Sequence, residues 1–114
     1  MSTNSQIAFN PQGNTVVVAA ASTAPTGVQA PASTVNPRGQ YRIVNAGNVT
    51  VHLGVGATAA AAQANAVAAA AGVPAAGIPM VPGAVEILRF SVEAYFSGYS
   101  ASAATVYITP GEGL

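Results

Sequence analysis

A chain of 114 residues with three arginines, three glutamates and neither lysine nor aspartate is 5% charged, against about 25% for an ordinary soluble domain. That balance excludes the basic footprint needed to bind a phosphate backbone, and the lack of cysteine excludes disulfides, thiolate nucleophiles and thiolate metal sites. With 51% apolar residues and zero net charge the chain is not of the disordered class, and its length suits one domain with one core.

The sparse charge has a consequence for the surface. A folded monomer of this mass exposes roughly 5,700 Å², so six charges leave one per roughly 950 Å². A standard interface takes about 800 Å² from each partner, so an interface-sized patch holds about one charge or none. Zero net charge adds a tendency to associate. The composition therefore predicts a covered surface, and a homo-oligomer among the ways of covering it.

Residues 1–39 are rich in Ser, Thr, Asn, Gln, Ala and Pro, with prolines at 11, 25, 31 and 37 and one aromatic, Phe9. One strand is predicted there, Thr15 to Ala21, where three valines favour an extended backbone. The rest reads as an extended arm with no core of its own. It is either a loose tail or a segment that orders against a neighbouring subunit, and Phe9 is its candidate contact.

From Gln40 to residue 114 the pattern is that of a β domain. QYRIVN puts Tyr41 and Ile43 on one face, NAGN (45–48) supplies turn residues, and VTVHLGV puts Val49, Val51, Leu53 and Val55 on one face. This predicts a half-buried β-hairpin. The stretch ATAAAAQANAVAAAAG (57–72) follows. Alanine favours helix, Thr58 can cap its start, and Gly72 with Pro74 can stop it. Few large side chains anchor it, so the alternatives are one short Ala-rich helix, which is favoured, and a long surface loop. The uncharged run 54–78 has the length of a membrane span, but Gln63, Asn65 and Pro74 argue against one.

IPMV (78–81) and the turn VPGA lead into VEILRF (85–90), apolar on both faces and so predicted to be covered on both. AYFSGYS (94–100) places Tyr95 and Tyr99 together. ATVYITP (104–110) places Val106 and Ile108 together with Tyr107 opposite, and Pro110 and Gly111 are expected to end it. About seven short strands predict a mainly β, antiparallel sandwich or barrel.

Chemistry is scarce. His52 is the single histidine, projecting beside Thr50 and Gly54, and three glutamates cannot furnish it with a metal site or an acid–base partner. Glu86 and Glu93 resemble a glycosidase pair only in type, and ion pairing with Arg42 and Arg89 is the plainer reading. GVGATA (54–59) has alanine where a dinucleotide loop needs its third glycine. The expectation is no enzyme, no catalytic residue, no cofactor, no metal, no nucleic-acid partner and no membrane. Candidate contact residues are Tyr95 and Tyr99, whose rings can anchor an interface or stack on a sugar. Ala66 and Ala69 of the small-residue stretch join them.

Taken together, QYRIVNAGNVTVHLGVG, the Ala-rich insert, PGAVEIL and YFSGYSASAATVYITPGEG resemble small virion proteins of tailed bacteriophages, over roughly residues 40–113. The resemblance implies a capsid decoration, or cement, protein: an antiparallel β-sandwich, jelly-roll-like, that oligomerises on the virion surface, binds the major capsid protein and stabilises the shell. It would be made in the host cytoplasm. The alternatives are another virion part, such as a head-fibre base or tail protein, and a carbohydrate-binding module using Tyr95 and Tyr99.

Overall fold

The computed structural model describes residues 9–30, 39–91 and 93–112. Pro31, Pro37 and Arg38 of the expected arm lie outside the described residues. The strands are β1 (Asn10–Pro11), β2 (Val16–Ala20), β3 (Val28–Gln29), β4 (Gln40–Asn45) and β5 (Val51–Gly56). After the helix α1 (Ala59–Asn65) come β6 (Ile78–Met80), β7 (Val85–Arg89), β8 (Tyr95–Ser100) and β9 (Ala104–Glu112). They form two antiparallel sheets. In sheet A, β1 and β2 lie along one side of β9, followed by β4 and β7; sheet B runs β3-β8-β5-β6.

The pairings reveal one rule. Strand β2 pairs with β9, β3 with β8, β4 with β7 and β5 with β6. The chain is thus a long hairpin, four strands out and four back, wrapped upon itself. The pairs β4–β9 and β5–β8 then complete the two sheets. This is the jelly-roll order, and the expected jelly-roll-like sandwich is the fold observed.

Period-2 patterning supplies the core. Val18, Tyr41, Ile43, Val106 and Ile108 of sheet A face Val51, Leu53 and Phe96 of sheet B, all at most 1% exposed. Tyr41 meets Phe96 edge-on with centroids 5.1 Å apart, and Phe90 packs against Phe96 at 5.8 Å.

Four expectations are corrected. Strands β4 and β5 exist but are not a hairpin, since they belong to opposite sheets. Alternation specifies which face is buried, not which strand supplies the hydrogen bonds. In one sheet Tyr41, Ile43, Val51 and Leu53 would share a face with nothing opposite; in two they face each other. Asn45 holds the crossover. Its amide donates to the carbonyls of Val49 (2.9 Å), Met80 (2.9 Å) and Val81 (3.3 Å), while its Oδ1 accepts from the Gly47 N–H at 3.0 Å.

The boundary at residue 39 also moves. Strands β2 and β3 are parts of the two sheets, and Val18, Ala20 and Ala30 are core residues, so residues 16–30 belong to the sandwich. Nor does Pro110 end the last strand, which continues to Glu112. Ala46 N–H donates to Thr105 O, which sets the alternation along β4–β9 and turns the Pro110 nitrogen away from β4. It meets the break between β1 and β2, so its missing N–H removes no rung of the β4–β9 ladder.

Finally, β7 is not covered on both faces. It is the edge of sheet A, and its outward side chains are open to solvent.

Candidate functional site

The outer face of sheet B carries most of the residues singled out from the sequence. Cross-strand pairs there are His52 with Tyr99, Gly54 with Ser97 and Gly56 with Tyr95. Glycines and a serine leave a shallow lane down the sheet, and α1 lies in it. Thr58 Oγ1 accepts from the Ala61 N–H at 3.1 Å and caps the helix. The helix stops after Asn65, well short of Gly72, because Ala66 leaves helical geometry (φ −81°, ψ 72°). Asn65 then donates to the Val55 carbonyl at 2.7 Å, and Gln63 to that of Ala24 at 2.9 Å.

The approach is as close as backbones allow. A Cβ on Gly54 would stand 2.3 Å from the Ala62 carbonyl oxygen and 2.5 Å from the Ala66 nitrogen. One on Gly56 would stand 2.7 Å from Ala61 Cβ. The alanine stretch is therefore a packing surface, turned toward its own sheet in its first half. Ala66, 4% exposed, offers little surface of its own as a contact candidate. Ala69 is exposed, and Phe9, just before β1, is half-buried.

Tyr95 and Tyr99 are half-buried and stand four residues apart on β8, about 13 Å along the strand. They do not form one stacking platform. Tyr99 lies against His52, centroids 5.9 Å apart, and borders an open depression of about 310 Å³ with Ala66, Val67 and Ala68. His52 is half-buried rather than exposed, and its Nδ1 has no hydrogen-bond partner. Among the described residues no three of His, Cys, Asp and Glu come together, and no helix is long and apolar enough to cross a membrane.

Glu86 and Glu93 are also separated. Glu86 lies opposite the buried Ile43 on β4 and borders a cleft of about 260 Å³ with Ile78, Met80 and Leu88, between the edge strands β6 and β7. Arg42 and Arg89 are on the other face of sheet A from Glu86. Glu93 occupies a turn with φ 59°.

The outer face of sheet A is where the structure brings apolar residues together. Val17 is opposite Tyr107, Tyr107 opposite Val44, and Val44 opposite Val85, so one row crosses β2, β9, β4 and β7. Val17 and Val85 are each 49% exposed, Ile87 44% and Tyr107 42%. Ile87 lies beside the row, opposite Arg42, whose other neighbour is Thr109. None of these was singled out from the sequence. The signal was present in the unbroken VVV of 16–18 and in VEILRF, whose second apolar face has no cover among the described residues.

No protein-family model, curated protein or solved structure matches this chain.

Proposed function

We propose that the protein is a structural virion component that attaches to the capsid surface of a tailed bacteriophage and stabilises the shell. The observation that carries the reading is the row Val17–Tyr107–Val44–Val85 across the outer face of sheet A, with Ile87 and Arg42 beside it. Scattered exposed apolar residues are ordinary, whereas a contiguous set on a flat sheet marks a contact surface. Tyrosine and arginine are the side chains that most often anchor such contacts, and this face holds both. Valines and threonines around them lose little rotamer freedom on burial. The resemblance of residues 40–113 to small virion proteins supplies the identity of the partner, the major capsid protein.

Co-sedimentation with capsid shells lacking the protein tests this directly. The wild-type chain should pellet with shells, and Tyr107→Glu should not, while melting as the wild type does. Electron microscopy of the decorated particle should show sheet A toward the shell. Density on a tail or fibre would transfer the reading to another virion part. Wild-type protein that ignores shells but binds glycans would replace it with the carbohydrate-binding alternative.

A further inference from the structure

We infer that two copies of the chain pair through β7, edge to edge and antiparallel, joining their sheets A into one continuous sheet. The inference rests on the edge itself and does not depend on the shell reading.

A sheet edge presents unpaired N–H and C=O groups, and proteins blunt such edges by shortness, proline, interruption or charge. Among the described residues, three of the four edges are short, interrupted or hold a proline. Strand β3 has two residues. Strand β6 has three, with Pro79 at the centre. The β1–β2 edge is interrupted over residues 12–15, and beyond β2 the chain leaves sheet A, where Ala21 bridges to Tyr99 of sheet B. Strand β7 has five residues, VEILR, with no proline and no interruption, and its two charges, Glu86 and Arg89, are opposite in sign and so can be met by a pairing strand.

Its backbone polarity can be assigned. Asn45 N–H donates to Ala84 O at 3.0 Å and Phe90 N–H to Gly39 O at 2.8 Å. With the register Ile43↔Glu86 and Tyr41↔Leu88, alternation makes Ala84, Glu86, Leu88 and Phe90 the residues bonded to β4. Val85 and Ile87 therefore turn both N–H and C=O toward the open side. Their side chains are the same ones left 49% and 44% exposed.

The sequence of this edge favours a second copy as occupant. A two-fold axis at Ile87 sets Ile87 opposite Ile87 of the second copy and Val85 opposite Arg89, using outward-facing backbone at each position. No like charges then oppose one another. Shifting the axis to Glu86 would set two carboxylates face to face. Leu88 and its copy would lie over the mouth of the cleft that Ile78, Met80 and Leu88 border. The joined sheets would also carry their outer faces side by side. One such face measures roughly 19 by 20 Å, or about 390 Å², from strand spacing and rise. Two together reach about 780 Å², close to the roughly 800 Å² a standard interface takes from one partner.

Four variants test the pairing. Ile87→Pro removes an N–H that the chain's own ladder does not use, so it should fold and block the edge. Ile87→Lys blocks it by charge without proline strain. Both should sediment as monomers at high micromolar concentration, where the wild type sediments as a dimer that dissociates on dilution. The chain has no cysteine, so Ile87→Cys gives a clean geometric readout. Across the axis the two Cα atoms would be about 5.5 Å apart, within disulfide reach. Mild oxidation should cross-link Ile87→Cys to dimers and leave Glu86→Cys largely monomeric. A wild-type monomer at that concentration overturns the inference. So does a dimer that persists in folded Ile87→Pro or Ile87→Lys, or equal cross-linking of the two cysteine variants.

Discussion

At the scale of single residues, the decisive side chains are those that allow two backbones to meet or fix a chain reversal. Gly54 does the first. A methyl group there would stand 2.3 Å from the Ala62 carbonyl oxygen, a rigid backbone neighbour that cannot swing away. Gly54→Ala should therefore cost about 1–3 kcal/mol in urea denaturation, the usual penalty for overpacking, although alanine is otherwise a mild substitution. Tyr41 offers a pH-dependent readout. Burial pushes its phenol above the ordinary value of 10.0, and its hydroxyl donates to the Ser91 carbonyl at 3.0 Å. Because the folded pKa is the higher one, the unfolded chain loses this proton first. The associated stability is complete below about pH 10 and is lost as pH rises toward the folded value. Denaturation midpoints measured from pH 9 to 11 should fall more steeply for wild type than for Tyr41→Phe.

At the scale of elements, α1 illustrates how an alanine-rich segment can be ordered without large side chains. It is capped by Thr58, stopped by Ala66 and seated on Gly54 and Gly56. One half of the stretch is buried by this and the other is not. Ala66→Glu places a carboxylate at a buried position packed against Gly54 and should lower the melting temperature, since a charge taken out of water without a partner is expensive. Ala69→Glu lies on exposed chain and should melt within a degree or two of the wild type, a change of about 0.5 kcal/mol or less. Equal effects of the two in a thermal melt would contradict the placement of α1. Asn45 plays the corresponding part for the crossover from β4 to β5. Its amide serves three carbonyls on two segments, so Asn45→Ala should cost roughly 1–3 kcal/mol through acceptors left unmet.

At the scale of the molecule, the wrapped hairpin makes both halves of the chain interdependent. Each strand of residues 16–56 pairs with one from the second half. Removing residues 1–9 spares every described strand and should leave a cooperative two-state transition. Removing 1–21 takes Val18 and Ala20 from the core and β2 from sheet A, and should abolish cooperative unfolding altogether. Circular dichroism melts of the two truncations distinguish this from an arm that folds separately. The same scale explains the apolar outer face: with few charges to spread over 6072 Å² of surface, an uncovered Val17–Tyr107–Val44–Val85 row has little around it to keep copies or partners away.

Strand positions and buried faces were legible in the residues themselves. The alternation of Tyr41 and Ile43, of Val51 and Leu53, and of Val106 and Ile108 set opposite Tyr107 needs only the two-residue period of an extended chain. The cap at Thr58 was equally local. Pairing was not, because a period-2 pattern is satisfied by any neighbour that covers the right face, and NAGN between β4 and β5 fits a hairpin as well as an arch. Only the packed molecule decides between them, by setting Tyr41 and Ile43 across the core from Val51 and Leu53. For the same reason the second apolar face of VEILRF could be read from the sequence as needing cover. That it has none among the described residues was decided by β7 falling at the edge of its sheet, where no described strand lies beyond it.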